Sequence, residues 1–350
     1  MYALCFDGVG ETVWRSVPDP GIQDPEDAVV RVDATTICGT DLHIVDGSGA
    51  RIAPGTVMGH EGVGTVVEAG SAVRSAMEGR RVVIPCISSC GRCPSCRHHS
   101  YSQCTGGAAW QLGNLINGTH AEYVRVPFAD FSTHPLPDEI TDEQALLLSD
   151  VLPTAYEVGI PPGAVRPGAS VAVVGTGPIG LAAILCARLF SPSLVIAVGR
   201  SRPRLDAART FGADHILTQG DDVAERVRSL TPHGQGVDLA IEAVGSDQAF
   251  GLCARIVRPG GRIANTGVHA EPVSLPLQDL WNRNVTVSTG QVDTYTIPDL
   301  LVLLRTRRIH ADGLITQRMP LHQLPAAYAL LADRGEELVI KIALLRQTSP

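Results

Sequence analysis

Four cysteines lie close together in this chain, at Cys90, Cys93, Cys96 and Cys104. Their spacing, C-x2-C-x2-C-x7-C, suits a closed tetrahedral Zn²⁺ site with four thiolate ligands. The surrounding segment is almost free of apolar residues, so bound metal would be its main source of order. Disulfide pairing is the alternative, and it is disfavoured because the first residues lack the pattern of an export signal. A saturated site leaves no position for a substrate, so this metal is predicted to be structural.

The composition disfavours several classes of partner. The chain has 350 residues, enough for two domains with separate cores, and its formal net charge is −8. An acidic balance disfavours nucleic acid and anionic membrane as partners. No apolar run approaches the ~18 residues of a membrane-spanning helix. The cysteine content without an export signal favours a cytoplasmic location, where thiolates are free to take metal.

The secondary-structure pattern changes near the middle of the chain. In the first half, short apolar or β-branched runs such as Ala28–Asp33 and Arg81–Pro85 predict strands between turns. In the second half, Ser170–Val174 predicts a strand and Pro178–Phe190 a helix, and similar pairs follow. This alternation predicts an α/β domain with a parallel sheet. A final run, Glu337–Leu345, predicts a strand that returns to the first domain.

A glycine motif stands between that predicted strand and helix, as Gly175-Thr176-Gly177-Pro178-Ile179-Gly180. It matches G-x-G-x-x-G in the strand–turn–helix context that a dinucleotide site requires, whereas a bare match would be weak. The first glycine makes the turn, the second lets a pyrophosphate approach the backbone, and the third permits close helix packing. The helix N-terminus then supplies N–H groups to the phosphates.

The residues after the next predicted strand favour NADP(H) over NAD(H). An NAD enzyme usually places an acidic residue there to accept the ribose 2′-hydroxyl. This chain has Gly199-Arg200-Ser201-Arg202 instead. Two guanidinium groups and a hydroxyl offer charge-assisted contacts to a 2′-phosphate. The alternative is that the two arginines are solvated surface charges.

Two further motifs lie in the strand-rich half, Cys38-Gly39-Thr40-Asp41-Leu42-His43 and Gly59-His60-Glu61. With the four cysteines and the glycine motif, in this order and spacing, the chain resembles the zinc-dependent medium-chain alcohol dehydrogenases along nearly its full length. The resemblance implies an α/β fold with a β-rich GroES-like catalytic domain and a Rossmann, doubly wound, cofactor domain. The catalytic domain would comprise residues 1–152 and 290–350, with a zinc lobe at 88–105, and the cofactor domain residues 153–289.

The resemblance also implies a second, catalytic zinc with three protein ligands, Cys38, His60 and Asp150. Three ligands and an open fourth position suit a Lewis acid that polarises an alcohol or carbonyl oxygen. An Asp as third ligand is similar to bacterial NADP-dependent secondary alcohol dehydrogenases. Glu61 resembles a carboxylate that approaches the metal and assists ligand exchange. Taken alone, Cys38 would more often be a buried core thiol and His60 a satisfied core histidine.

A proton path follows from the same resemblance. Thr40 would accept the alcohol proton through its hydroxyl and pass it by way of the nicotinamide ribose to His43. A structural role for His43 is the alternative. Asp41 is a candidate partner for the second ring nitrogen of His60, where it would fix the tautomer.

Further cofactor contacts are implied at positions spread along the chain, namely Thr154, Gly267, Val268, Thr289 and Lys341. Lys341 is expected to reach a cofactor phosphate, with an ordinary strand lysine as the alternative. The substrate pocket is expected to include Trp110, Ile87 and Leu112, although Trp110 suits a plain core position nearly as well. One aromatic wall with small neighbours would fit a compact secondary alcohol or ketone.

The leading hypothesis is a zinc- and NADP(H)-dependent oxidoreductase of small secondary alcohols, ketones or aldehydes. One alternative is an NAD-dependent polyol or amino-alcohol dehydrogenase of the same fold. Another is a non-catalytic cofactor-binding structural protein, which the joint presence of Cys38, Thr40, His43, His60 and Asp150 disfavours. A zinc-finger nucleic-acid binder is disfavoured by the acidic charge. The resemblance implies a homotetramer, with a dimer as the other possibility.

Overall fold

The computed structural model describes residues 1–161, 163–220, 222–332 and 338–347. Glu337, the first residue of the predicted last strand, and the last three residues of the predicted catalytic domain lie outside these ranges. The strands are β1 (Tyr2–Gly8), β2 (Glu11–Ser16), β3 (Ala28–Thr36), β4 (Gly62–Ala69), β5 (Arg81–Ile84), β6 (Tyr123–Val126), β7 (His134–Pro135), β8 (Ser170–Val174), β9 (Leu194–Gly199), β10 (His215–Thr218), β11 (Val237–Glu242), β12 (Val257–Asn265), β13 (Thr286–Thr289), β14 (Ile315–Pro320) and β15 (Lys341–Leu345).

Helices connect these strands, mostly in the second half of the chain. They are α1 (Gly39–Asp46), α2 (Pro94–Arg97), α3 (Ala129–Ser132), α4 (Asp142–Ser149), α5 (Val151–Pro153), α6 (Pro178–Arg188), α7 (Arg202–Thr210), α8 (Val223–Ser229), α9 (Asp247–Ile256), α10 (Leu277–Leu280), α11 (Ile297–Arg305) and α12 (Leu324–Ala332). A π turn (Thr154–Val158) follows α5 directly, and short 3₁₀ turns lie at Tyr101–Gln103, Pro232–Gly234, Trp281–Arg283, Asp312–Leu314 and Leu321–Gln323.

A largely antiparallel sheet organises the first part of the chain. In the described residues its strand order is β14-β15-β3-β4-β5-β7, and β6 pairs with β3. The apolar faces of β3, β4, β5 and β6 enclose a core that includes Val30, Val66 and Ile84. The last strand, β15, runs antiparallel to β3, with Ala343 opposite Thr36. This pairing confirms the predicted return of the chain to its first domain.

A parallel sheet organises the second part, with strand order β10-β9-β8-β11-β12-β13 in the described residues. Every neighbouring pair in it is parallel. Helices cover both faces, because Val171 and Val173 pack on one side while Ala172 and Val174 pack on the other. The strand order reverses between β8 and β11, and in such folds a ligand binds beyond the carboxyl ends of the strands at that point.

The glycine motif forms the turn between β8 and α6. Gly175 has a φ of +109°, a conformation that L side chains rarely adopt. A Cβ on Gly180 would lie 1.9 Å from the Gly175 carbonyl oxygen, so only glycine lets α6 approach the strand. By contrast, a Cβ on Gly177 would have no neighbour within 4 Å. The space beside Gly177 is therefore open to a ligand.

A bent helical segment connects the two sheets. Thr141 caps α4, and its hydroxyl accepts a hydrogen bond from the Gln144 backbone N–H at 3.2 Å. The helix is buried along most of its length and contacts β3, β4 and β5. Asp150, with φ −151° and ψ −57°, separates α4 from α5 and so breaks the helix at one residue. The break places the Asp150 side chain among residues of the antiparallel sheet.

We examined whether any described helix could cross a membrane. None of them is both long enough and apolar enough to cross a bilayer.

Candidate active site

Four side chains meet in a buried cluster between the two sheets. One donor atom each from Cys38, His60, Glu61 and Asp150 can be chosen so that all lie within 4.8 Å of one another. Cys38 is the N-cap of α1 and follows β3, whereas the His-Glu pair stands immediately before β4. The structure therefore brings together the three predicted ligands and adds the Glu61 carboxylate to the same set.

Asp41 orients the His60 ring. Its Oδ1 lies 3.3 Å from His60 Nδ1, and both side chains are almost completely buried. Burial opposes ionisation of Asp41, but the interactions with His60, the charge of His120 and the Cys38 backbone N–H together outweigh it and lower the pKa of Asp41 to about 2. The other carboxylate oxygen accepts a hydrogen bond from the Cys38 backbone N–H at 2.9 Å. One aspartate thus fixes both of its neighbours and leaves His60 Nε2 for the metal.

Glu61 forms a buried ion pair with Lys341. Lys341 Nζ lies 2.8 Å from Glu61 Oε1, and the two side chains are 2% and 0% exposed. Glu61 Oε2 is buried and has no hydrogen-bond partner among the described residues. Burial raises the pKa of Glu61 to about 7, although the charge of Lys341 opposes this shift. The predicted contact of Lys341 with a cofactor phosphate stays a prediction; here its ammonium group is enclosed and paired with Glu61.

The Asp150 carboxylate is held by contacts with Thr154, Cys86 and Cys38. Its Oδ1 accepts a hydrogen bond from the Thr154 hydroxyl at 2.7 Å and a weaker one from Cys86 Sγ at 3.6 Å. Its Oδ2 lies 3.5 Å from Cys38 Sγ. Thr154 was predicted to border the nicotinamide ring; its hydroxyl orients the Asp150 carboxylate towards the cluster.

These donors fit a zinc ion. A thiol, an imidazole and carboxylates are the ligand types that Zn²⁺ takes in proteins. The buried, unpartnered Glu61 Oε2 is the kind of polar atom that a cation would satisfy. Without a cation, a Cys38 thiolate would lie beside the negative charge of Asp150. Burial is the main cause that raises the pKa of Cys38, and the charge of Asp150 adds to it.

The four-cysteine lobe forms a second group of donors. One ligand atom from each of Cys90, Cys93, Cys96 and Cys104 lies within 4.8 Å of the others. The Cys96 backbone N–H, 3.4 Å from Cys93 Sγ, lowers the pKa of Cys93 to about 5. Burial raises the pKa of Cys96 to about 12. The geometry agrees with the predicted closed tetrathiolate site, which a metal would keep deprotonated.

Helix α1 connects the cluster to the surface. The Thr40 hydroxyl lies 3.7 Å from Cys38 Sγ. One turn later His43 is 38% exposed, and its Nδ1 lies 2.9 Å from the Ser48 hydroxyl. Thr40 and His43 therefore lie at the inner and outer ends of a short path from the cluster to solvent.

The carboxyl ends of the parallel strands form the crevice beside the cluster. Gly177 is open to a ligand there, and Pro178 begins α6 with Ile179 next to it. A Cβ on Gly267 would lie 2.2 Å from the Gly245 backbone nitrogen, so the turn after β12 needs glycine. Val268 is 57% exposed beside it, and Thr289 ends β13.

A cavity of about 470 Å³ lies beyond the ends of β9 and β10. Arg200 lines it, as do three residues that sequence reasoning missed, Gln219, Gln248 and Arg255. No sequence motif marks Arg255, which reaches the cavity only because α9 packs beside β11. Arg202 instead pairs with Asp206 at 3.0 Å along the surface of α7 and is absent from the cavity lining, as are Gly199 and Ser201.

Two of the three predicted substrate-pocket residues, Trp110 and Ile87, lie together, whereas Leu112 lies apart from them. The Trp110 ring is edge-on to His60 at 6.0 Å between centroids, and it packs against Ile87 and Val292. Leu112 belongs to the separate core enclosed by β3, β4 and β6. Its prediction as a pocket residue is wrong, because it is 1% exposed within that core.

Comparison with known proteins agrees with this geometry. Residues 24–138 match the alcohol dehydrogenase GroES-like domain, and residues 178–305 match the zinc-binding dehydrogenase domain. A zinc-binding alcohol dehydrogenase of Mycobacterium tuberculosis is 36% identical, over 97% of this chain and 87% of its own. The NADP-dependent isopropanol dehydrogenase of Thermoanaerobacter brockii is 32% identical, over 99% and 100%. The apo form of zinc dependent alcohol dehydrogenase 2 from Streptococcus pneumonia superposes with a TM-score of 0.95, at 39% identity over 100% and 99%.

A donor cluster for zinc beside a dinucleotide crevice defines a metal-dependent oxidoreductase that uses a nicotinamide cofactor. The chain belongs to the zinc-dependent alcohol dehydrogenases of the medium-chain dehydrogenase family. Its substrates are small alcohols and the corresponding carbonyl compounds.

Gly177 has open space beside it and Gly180 is crowded, so alanine substitutions at these two positions should cause different defects. Gly180→Ala should lower the free energy of unfolding by about 1–3 kcal/mol, because its Cβ collides with a carbonyl oxygen. Gly177→Ala should leave the stability of the cofactor-free protein unchanged and weaken cofactor binding. Thermal melts without cofactor and fluorescence titration with NADPH measure the two effects. Equal stability of the two variants would contradict the packing argument.

Proposed function

We propose that this protein is an NADP(H)-dependent dehydrogenase of small secondary alcohols and the corresponding ketones or aldehydes, with a catalytic zinc held by Cys38, His60 and Asp150. The observation that carries the proposal is the buried cluster of a thiol, an imidazole and carboxylates beside the crevice of the parallel sheet. When bound, zinc supplies Lewis-acid polarisation of the substrate oxygen.

Two residues of α1, Thr40 and His43, would move a proton from the substrate to solvent. Thr40 lies next to Cys38 and would take the hydroxyl proton of an alcohol. His43, partly exposed and beside the Ser48 hydroxyl, would deliver that proton to solvent. Trp110 and Ile87 would exclude water from the opposite side, because both pack in one apolar cluster next to His60.

Glu61 would act as a mobile fourth donor. Its Oε2 faces the ligand set without a partner, while Oε1 is anchored by Lys341. A carboxylate held at one oxygen can occupy the fourth position when no substrate is present and withdraw when one arrives. Lys341 would limit how far it moves, since the ammonium group has no other described acceptor within the cluster.

The cavity beyond β9 and β10 supports NADP(H) over NAD(H). Arg200 and Arg255 both line it, so two guanidinium groups would face a ribose 2′-phosphate there. None of the described residues that line this cavity is acidic, so none of them would repel a phosphate or accept a 2′-hydroxyl. The 32% identical isopropanol dehydrogenase is itself NADP-dependent.

A second zinc in the four-cysteine lobe is part of the proposal, and it is supported by the mutual proximity of the four sulfur atoms.

The two sheets support the division into a catalytic domain at residues 1–152 and 290–350 and a cofactor domain at 153–289. A cytoplasmic location is proposed as well, because two sets of metal-binding thiols suit a reducing compartment.

We further propose that the enzyme is a homotetramer whose contacts include the β13 edge. This strand ends the parallel sheet in the described residues. Large apolar side chains are exposed near it, including Trp281 at 74% and Leu277 at 59%. An exposed apolar edge strand is covered in most soluble proteins, and a second copy of the same edge would cover it.

Substrate and cofactor choice are tested by initial rates with 2-butanol, a polyol and an amino alcohol, each with NADP⁺ and NAD⁺. We expect the highest kcat/KM with 2-butanol and NADP⁺. Arg200→Gln and Arg255→Gln should each raise the KM for NADP⁺ about tenfold, the effect of ~1.4 kcal/mol, and leave that for NAD⁺ unchanged. Arg209→Gln, an exposed arginine outside the cavity lining, is the control. A rate only with NAD⁺ would overturn the cofactor assignment.

Metal analysis tests the two zinc sites. Wild-type protein should contain two zinc ions per chain. Asp150→Asn should lose turnover and weaken one site while the fold persists, and exposed Asp138→Asn should change neither. Cys93→Ser should release the other zinc and lower the melting temperature more than kcat. Full turnover after loss of the Cys38–His60–Asp150 metal would contradict the proposed role.

Association is tested by sedimentation equilibrium. We expect the wild-type mass to correspond to a tetramer, and Trp281→Glu to shift it towards smaller species, because a buried unpaired charge opposes the contact. A monomeric wild-type protein would contradict the proposed assembly.

A further inference from the structure

Two acidic side chains, Glu157 and Asp293, join three distant parts of the chain. Glu157 lies in the π turn that follows Asp150, and Asp293 lies shortly after β13. The third part is the four-cysteine lobe, represented by Ser102, which stands between two of its cysteines. None of these residues takes part in the functions described above.

Glu157 binds the segment after β13 with both carboxylate oxygens. Its Oε2 accepts hydrogen bonds from the backbone N–H groups of Asp293 at 2.8 Å and Thr294 at 3.0 Å. Its Oε1 accepts from the Thr296 backbone N–H at 3.0 Å and the Thr296 hydroxyl at 2.6 Å. One side chain therefore satisfies three successive or nearby backbone donors and fixes the path of this segment.

Asp293 binds the lobe in turn. Its Oδ1 accepts hydrogen bonds from the Ser102 backbone N–H at 2.8 Å and the Ser102 hydroxyl at 2.6 Å. A ring contact lies beside them, because His99 of the lobe packs against Tyr295 at 5.4 Å between centroids. The lobe is thus attached to the segment after β13 by both polar and aromatic contacts.

The bound segment has a backbone shape that it would not adopt unaided. Thr294 has a φ of 64°, which is unusual for a β-branched residue, and it is 2% exposed. Such a conformation persists only where its surroundings hold it. Two residues before it, Val292 packs against Cys86 and Ile87, next to Asp150. The segment therefore forms one side of the space between the metal cluster and the strand ends.

We propose that Glu157 and Asp293 are positioning residues which couple the order of the four-cysteine lobe to binding of the nicotinamide cofactor. The lobe holds Asp293, Asp293 and Glu157 hold the segment after β13, and that segment borders the crevice at the carboxyl end of the parallel sheet. The inference rests on the proposed nicotinamide site. Coupling between two sites is reciprocal, so cofactor binding must also make the lobe more ordered.

Peptide-resolved hydrogen–deuterium exchange and cofactor titration test this coupling. The cofactor used is whichever of NADPH and NADH binds the wild-type protein more tightly, so an incorrect cofactor preference leaves the test intact. In wild type, saturating cofactor should slow exchange of the lobe amides around Ser102. In Asp293→Ala, cofactor Kd should rise about tenfold, the equivalent of ~1.4 kcal/mol, with kcat changed less than Kd, and the lobe protection should disappear.

Three further variants separate positioning from general stability. Asp293→Asn should keep most of the affinity and protection, because its amide oxygen can still accept both Ser102 hydrogen bonds. Ser102→Ala, which removes one of the two bonds, should show a smaller effect of the same kind and decides the matter if Asp293→Ala does not fold. Glu26→Gln is the matched control, since Glu26 pairs with Arg92 of the same lobe but not with the segment after β13.

Two results would overturn the proposal. One is wild-type protein that binds cofactor without any change of exchange in the lobe. The other is a cofactor Kd in Asp293→Ala and Ser102→Ala equal to that in Glu26→Gln. Neither result would bear on the zinc-dependent reaction, which the rate and metal measurements test separately.

Discussion

The confinement of several acidic donors in a small buried volume is the constraint on which the rest of this structure depends. Cys38, Glu61 and Asp150 offer like charges within 4.8 Å of one another. Two unit charges about 4 Å apart repel by roughly 4 kcal/mol at an effective dielectric constant of ~20. Lys341 offsets one of these charges, whereas Asp41 adds a further buried carboxylate 3.3 Å from His60. A divalent cation balances the remainder, so the fold around the cluster and its affinity for zinc are two aspects of one electrostatic requirement.

The helical segment from α4 to the π turn serves both halves of the molecule. It begins beneath the antiparallel sheet, presents Asp150 to the metal cluster at its break, and ends with Glu157 bound to the chain after β13. The six residues between these two carboxylates are helical or π-helical, so the carboxylates have a fixed separation. The proposed metal ligand Asp150 and the anchor Glu157 are therefore parts of one rigid element.

Much of the fold was predictable because its signals are local. The bounds of β8 follow from a short apolar run, and the glycine turn follows from a motif whose steric reason is confirmed at Gly180. The resemblance supplied the members of the metal cluster, which no spacing rule would have joined. The contacts that the sequence did not indicate share a cause, because Lys341, Leu112, Arg255 and Glu157 acquire their surroundings from segments far away in sequence. Whether Lys341 binds a phosphate or pairs with a carboxylate depends on tertiary packing, which the local sequence does not show.

The pairing of the last strand with β3 has a consequence for synthesis. Ala343 lies opposite Thr36, so the antiparallel sheet gains β15 only after the parallel-sheet region between them in sequence has been synthesised. The parallel-sheet region, contiguous in sequence, can fold earlier. Lys341 begins β15, and its ammonium group is the final protein charge to arrive beside Glu61. A nascent chain therefore holds a more negative cluster until β15 docks, and a zinc ion would offset that excess charge before Lys341 is in place.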